Sequence, residues 1–212
     1  MTVRAALLTS IVILLVGTVT IAVAQDEARQ PLQPGVVAPD FTATTLEGVP
    51  MRLAQWQGKV VVLNFFITWY RDAAEHLDMM EDLQTTYSAE GMRLLSISLD
   101  EGERGAEQVG ELVREKEIAH PVVVDAEQNT AELYGVRALP AIFVIGRDGE
   151  IAYYHEGYTE GDDRRLARAV AAALGVEAPA EDPADEPEQG AEVAETDEVE
   201  EPVCKCFRRS GE

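Results

Sequence analysis

Lys59-Val60-Val61-Val62-Leu63-Asn64-Phe65-Phe66-Ile67-Thr68, followed at once by Trp69-Tyr70-Arg71-Asp72-Ala73, decides the fold of this chain. The first ten residues are a near-continuous apolar run of strand length. A strand buried on both faces needs such a run, so it predicts a central strand. The next fifteen residues change period. Ala74, Leu77, Met80, Leu83 and Tyr87 share one helical face, while Glu75, Asp78 and Asp82 lie elsewhere. Ala73–Tyr87 is therefore a helix, stopped by Gly91, with Met79 and Met80 as core filler. A buried strand turning directly into an amphipathic helix is half of a β-α-β unit.

The other half follows. Arg93–Leu99 is a second buried strand, Ala106–Lys116 a helix with Val109, Leu112 and Val113 inward, and Pro121–Val124 a short strand. Asn129–Tyr134 is a turn or two of helix ended by Gly135. Ala141–Gly146 and Glu150–His155 form a hairpin that turns on Asp148-Gly149, and Asp162–Leu174 is a closing helix. Upstream, Phe41–Leu46 and Pro50–Leu53 flank Glu47-Gly48 and predict a small hairpin. The order β-β-β-α-β-α-β-α-β-β-α implies parallel strands with right-handed crossovers in the middle. The terminal hairpin adds antiparallel strands, so the sheet is mixed.

The chain has 212 residues, 46% of them apolar, and a formal charge of −22. Residues 1–175 hold 14 Lys/Arg against 26 Asp/Glu, a net −12. Residues 176–202 hold 12 Asp/Glu and no Lys or Arg, another −12; the last ten residues return +2. A surface this acidic repels nucleic acid and anionic headgroups, so no nucleic-acid partner is expected.

Arg4 is the lone positive charge before an uncharged run from Ala5 to Ala24, which closes on Ala22-Val23-Ala24 and is followed by Gln25-Asp26-Glu27. That pattern predicts a signal peptide at 1–24, cut after Ala24. A retained anchor is the alternative, since about 20 apolar residues can span a bilayer. Membrane attachment would run only through residues 5–24. On either reading the rest is exported, to a periplasmic or other extracytoplasmic compartment that permits disulfides. Residues 25–34 form a polar leader and 35–175 the domain. Residues 176–203, rich in Ala, Pro, Glu and Asp and free of aromatics, predict a disordered acidic linker. Residues 204–212 make a basic tail around Cys204-Lys205-Cys206, which holds the only cysteines of the chain.

Several stretches together resemble one family. Gly35-Val36-Val37-Ala38-Pro39-Asp40-Phe41 is similar to the opening of redoxins. Trp56-Gln57-Gly58-Lys59-Val60-Val61-Val62-Leu63-Asn64 and Phe65-Phe66-Ile67-Thr68-Trp69 resemble the approach to the Trp-Cys-x-x-Cys loop of extracytoplasmic thioredoxins of the TlpA/ResA type. Tyr134-Gly135-Val136-Arg137-Ala138-Leu139-Pro140 resembles their cis-proline segment. The resemblance implies an α/β thioredoxin-like fold, with a mixed central sheet flanked by helices and an N-terminal β-hairpin extension.

The implied chemistry is thiol–disulfide exchange. One thiolate at the helix N-terminus attacks a disulfide, and a second resolves it. Carried onto this chain, those two positions are Tyr70 and Ala73, and Arg71-Asp72 lies between them. Neither side chain performs that step, so Trp69–Ala73 is a degenerate active-site loop and the enzymatic role is open.

Two functions follow. In the first, Trp69, Tyr70, Leu139 and Pro140 form a groove for an extended polypeptide or envelope protein, without catalysis. In the second, Cys204 and Cys206 are the catalytic thiols of an oxidoreductase, acting from the tail. A 28-residue coil spans roughly 30 Å, enough to cross the face of a small domain. The tail thiols are also open to soft-metal binding, intermolecular cross-linking or no specific chemistry. His76, His120 and His155 lack ligand spacing, so neither a metal site nor a cofactor is expected in the domain. The sequence leaves the oligomeric state open.

Overall fold

The computed structural model describes residues 30–159 and 161–178. The chain divides into a unit Met1–Gln30 and a unit Pro31–Glu212, and the fold below is that of the second. The expectations for residues 1–24, residues 25–29 of the leader, residues 179–203 of the linker and the Cys204/Cys206 tail lie outside the described residues.

A small antiparallel hairpin comes first, β1 (Thr42–Thr44) with β2 (Pro50–Arg52), then a 3-10 turn at Leu53–Trp56. The main elements are β3 (Val60–Phe66), α1 (Ala73–Tyr87), β4 (Met92–Ser98), α2 (Gly102–Glu115), β5 (Val122–Val124), α3 (Asn129–Tyr134), β6 (Ala141–Ile145), β7 (Ile151–Glu156) and α4 (Asp162–Leu174). The five-stranded sheet runs β5-β4-β3-β6-β7. β3, β4 and β5 are parallel; β6 is antiparallel to β3, and β7 to β6. This is the mixed sheet, with its hairpin extension, that the element order implies.

All seven residues of β3 are buried, and their alternation divides the core. Val61, Leu63 and Phe65 face a cluster with Phe41, Tyr134 and Phe143, whereas Val60 and Val62 face Met80, Leu166 and Val170 from α1 and α4. Each such side chain contributes roughly 2 kcal/mol of burial, an upper figure because the unfolded chain is already partly compact. Tyr134 sits at the centre of the first cluster. Its ring lies 6.0, 5.9 and 5.2 Å from those of Phe41, Phe65 and Phe143, and its hydroxyl donates to the Pro39 carbonyl at 2.8 Å. Burial raises its pKa, followed by the charge of Asp40.

Two details differ from expectation. α2 begins at Gly102, four residues before the predicted Ala106, because its first turn packs against the end of β4. A Cβ on Gly105 would lie 2.9 Å from the Asp100 carbonyl carbon. In α1 the buried positions are Ala73, His76, Leu77, Met80, Leu83 and Tyr87, so His76 takes the inward place expected of Ala74.

Candidate functional site

The loop Thr68–Asp72 leaves the C-terminal end of β3 and leads into α1. Phe65 pairs with Ala141 across β3 and β6, so Leu139-Pro140 enters β6 at the same end of the sheet. The Leu139–Pro140 peptide is cis. Both segments expected to form the site therefore converge.

Asp100 fastens the loop from behind. Its buried carboxylate accepts from the Thr68 backbone N–H at 2.8 Å, the Thr68 hydroxyl at 2.7 Å and the Ser98 hydroxyl at 2.8 Å. Beyond Thr68 the chain turns, and the Ala73 N–H donates to the Tyr70 carbonyl. Trp69 projects, 62% exposed. Tyr70 packs partly against the core cluster that contains Leu139, and Ala73 is buried. Arg71 pairs with Asp72 at 3.3 Å in solvent, while Asp72 makes no side-chain cap on α1.

On the proline side, Leu139 is buried, so it offers a groove its main chain rather than its side chain. The Pro140 carbonyl accepts from the Gly157 N–H at 2.8 Å. Among the described residues, nothing pairs with the backbone of Ala138 or Leu139.

Tyr158, which the sequence reading passed over, completes the surface. It is 45% exposed, and its ring stands edge-on to His76 with centroids 6.5 Å apart. Its pKa is raised by burial, then by Asp163, Asp162, Asp72 and Tyr70. Asp162 holds the segment in place: it is buried, and accepts from the Thr159 N–H and hydroxyl and from His155.

Beneath the loop runs a chain of polar groups inside the core. Glu81 Oε2 meets His120 Nδ1 at 2.7 Å, His120 Nε2 meets Ser96 Oγ at 2.8 Å, Ser96 Oγ meets Asn64 Nδ2 at 3.1 Å, and Asn64 Oδ1 meets His76 Nε2 at 2.6 Å. A carboxylate only accepts, so the proton on His120 sits on Nδ1. Nε2 then accepts from the Ser96 hydroxyl, whose oxygen accepts from the Asn64 amide. Asn64 Oδ1 in turn accepts from His76 Nε2–H, which leaves His76 Nδ1 as a lone pair with no partner. Burial lowers the His76 pKa to about 4. His120 is also lowered by burial, against the opposing pull of Glu81. Glu81 is the half-buried outer end of this chain and accepts from His120 and from the Ala119 N–H. No three of His, Cys, Asp and Glu converge on one point among the described residues.

With this geometry in place, the chain can be set beside known proteins. The AhpC/TSA family model matches residues 34–154. The chain belongs to the AhpC/TSA family. Within this family's wider relationships it is similar to the thiol-disulfide oxidoreductase ResA of Geobacillus thermodenitrificans, 32% identical over 117 residues, which are 55% of this chain and 66% of the relative. ResA of Geobacillus kaustophilus is 30% identical over 129 residues, 61% of this chain and 72% of that one. Among solved structures, a thioredoxin-family thiol:disulfide interchange protein of Chlorobium tepidum superposes with a TM-score of 0.58 at 25% identity. That match covers 69% of this chain and 100% of the other. The thioredoxin-like fold and the kinship with thiol–disulfide oxidoreductases are thus established for this AhpC/TSA member. Its Trp69–Ala73 loop carries no thiol.

Proposed function

We propose that this AhpC/TSA-family chain is an exported, non-catalytic polypeptide-binding domain. The observation that carries the reading is the main chain of Ala138-Leu139, which has no partner among the described residues and is set at the same sheet end as the exposed Trp69. Free backbone groups beside an aromatic side chain are what an extended peptide needs: main-chain pairing supplies affinity, and side-chain contact supplies selectivity. Export is supported by the uncharged run and small-residue site at residues 5–24. Among the described residues no helix is long and apolar enough to cross a membrane.

The test titrates the full chain with a reduced, alkylated, unfolded protein as the extended polypeptide. The Leu139 amide resonance should shift on binding, and Trp69→Ala should weaken binding about tenfold, in line with loss of an aromatic anchor. Titration with no shift at residues 138–140 would overturn the reading.

A second reading is kept because the relatives are thiol–disulfide oxidoreductases and the chain's own thiols are Cys204 and Cys206. One thiolate attacks a substrate disulfide, the other resolves the mixed disulfide, the substrate is reduced, and the tail pair is oxidised. Equal disulfide-reduction rates for the native chain and for Cys204→Ser/Cys206→Ser would eliminate it.

A further inference from the structure

A second concavity lies along the helical side of the domain, between α1 and α4. It has a volume of about 490 Å³, within the range that takes a small ligand or a few side chains. Four carboxylates line it, Glu75, Asp78 and Asp82 from α1 and Asp163 from α4, and no basic residue does. Asp78 also pairs with Lys116 at 2.7 Å. Met79 and Leu166 supply an apolar floor, and Tyr158 closes one end. An occupant must therefore bring positive charge and an apolar side chain together.

We propose that this groove is the docking site of the same chain's C-terminal segment, Lys205-Cys206-Phe207-Arg208-Arg209. Charge favours it. Residues 1–175 and 176–202 are each net −12, whereas residues 203–212 are net +2. The acidic stretch that precedes the tail is repelled by the groove, and so is a second copy of so acidic a domain. Composition favours it too: Phe207 is flanked by Lys205 and Arg208-Arg209, an aromatic between cations, which matches an apolar floor between carboxylates.

The tether permits it. α4 forms one wall, and the chain leaves that helix at Leu174. The seven steps from Ala167 to Leu174 advance only about 10 Å along the axis. The 28 residues 176–203 span roughly 30 Å as a coil, so the tail meets the groove at an effective concentration on the order of millimolar. Docking holds Cys204 and Cys206 on the face where Tyr158 joins the groove to the Trp69–Ala73 loop. This inference does not rest on the peptide-binding reading, which turns on Trp69 and the main chain of residues 138–139, although Tyr158 borders both surfaces.

The test places a nitroxide on Cys204 of the full chain carrying Cys206→Ser and follows backbone amides by NMR. Amides of Glu75, Met79, Asp82 and Asp163 should lose at least about half of their intensity at low salt. They should recover near about 1 M salt, where the screening length is about 3 Å. Lys205→Glu/Arg208→Glu/Arg209→Glu should abolish the effect, and so should Asp82→Lys/Asp163→Lys on the exposed rim. The proposal is overturned by no broadening, by broadening that survives either charge reversal, by broadening that scales with protein concentration and so reports a second copy, or by a tail that leaves the groove untouched and binds anionic vesicles. Broadening confined to the loop at residues 138–140 would likewise overturn it.

Discussion

His76 Nε2 donates to Asn64 Oδ1 across 2.6 Å, which joins the first turn of α1 to the central strand. Both groups are buried, His76 at 3% exposure and Asn64 at 0%. The bond fixes the neutral imidazole, because the other ring nitrogen has no partner to share a second proton.

Stability should therefore depend on pH. His76 has a folded-state pKa of about 4 against 6.5 for the ordinary imidazole. Between those values the unfolded chain binds a proton that the folded chain does not. Unfolding free energy is thus at its full value above about pH 6.5, falls as pH drops towards 4, and levels below that. The loss is on the order of 3 kcal/mol. Urea midpoints measured from pH 7 to pH 4 should show it, and His76→Gln, which keeps an N–H for Asn64, should remove most of the slope. His120 is shifted in the same direction and leaves a residue of it. An unchanged slope in the variant would contradict this assignment.

Asp100 should matter more to the loop than any residue within it. Asp100→Ala removes the acceptor for the Thr68 N–H and hydroxyl and for Ser98. A buried N–H left without a partner, together with lost charge-assisted bonds, costs about 3 kcal/mol. Amide exchange at residues 67–72 should accelerate beyond the global change. Protection equal to that of the native chain would show that the loop is held by something else.

Two glycines of α2 should respond with opposite signs. In a helix, alanine is favoured over glycine by roughly 1 kcal/mol. Gly110 has open space around its missing Cβ, so Gly110→Ala should stabilise by about that amount. At Gly105 the new methyl would meet the Asp100 carbonyl carbon and Cβ, each at 2.9 Å. Overpacking of that kind costs about 1–3 kcal/mol, which outweighs the propensity gain. Thermal midpoints of the two variants should move apart; a Gly105→Ala protein as stable as the Gly110→Ala protein would refute the close packing of α2 on β4.

Tyr134→Phe separates packing from hydrogen bonding in the core. The ring contacts with Phe41, Phe65 and Phe143 remain, and the bond to the Pro39 carbonyl is lost. About 1 kcal/mol is expected, against about 3–5 for Tyr134→Ala. Chemical denaturation of both variants reads the difference directly.

Much of this architecture was legible in the residues. β3 announced itself by an unbroken apolar run, and α1 by a change of period at Ala73; both occur where expected. The start of α2 was hidden by Gly102 and Gly105, and the smallness of Gly105 serves a contact with Asp100 that only the fold creates. The candidate site was half legible. Trp69, Tyr70 and Pro140 were found by likeness, and the structure brings their segments to one end of the sheet. Tyr158 was not found, because its place depends on Asp162 fastening a loop far along the chain. Nor was the Glu81-to-His76 chain. Its five members lie on four separate stretches of sequence, with only His76 and Glu81 sharing a helix, and hydrogen-bond partners distant in sequence leave no periodic trace. The one available hint was Asn64, a lone amide inside an otherwise apolar strand.

The clamp between Thr68 and Asp100 lies outside the four positions Tyr70, Arg71, Asp72 and Ala73. Those four residues behave as a cassette seated in a mount whose clamp uses none of their side chains, while Tyr70 and Ala73 still pack inward. Evolution can exchange the cassette while the mount stays rigid, so loss of a reactive group need not carry any penalty in foldedness. The same independence makes the loop a convenient place to graft a new recognition sequence onto this domain.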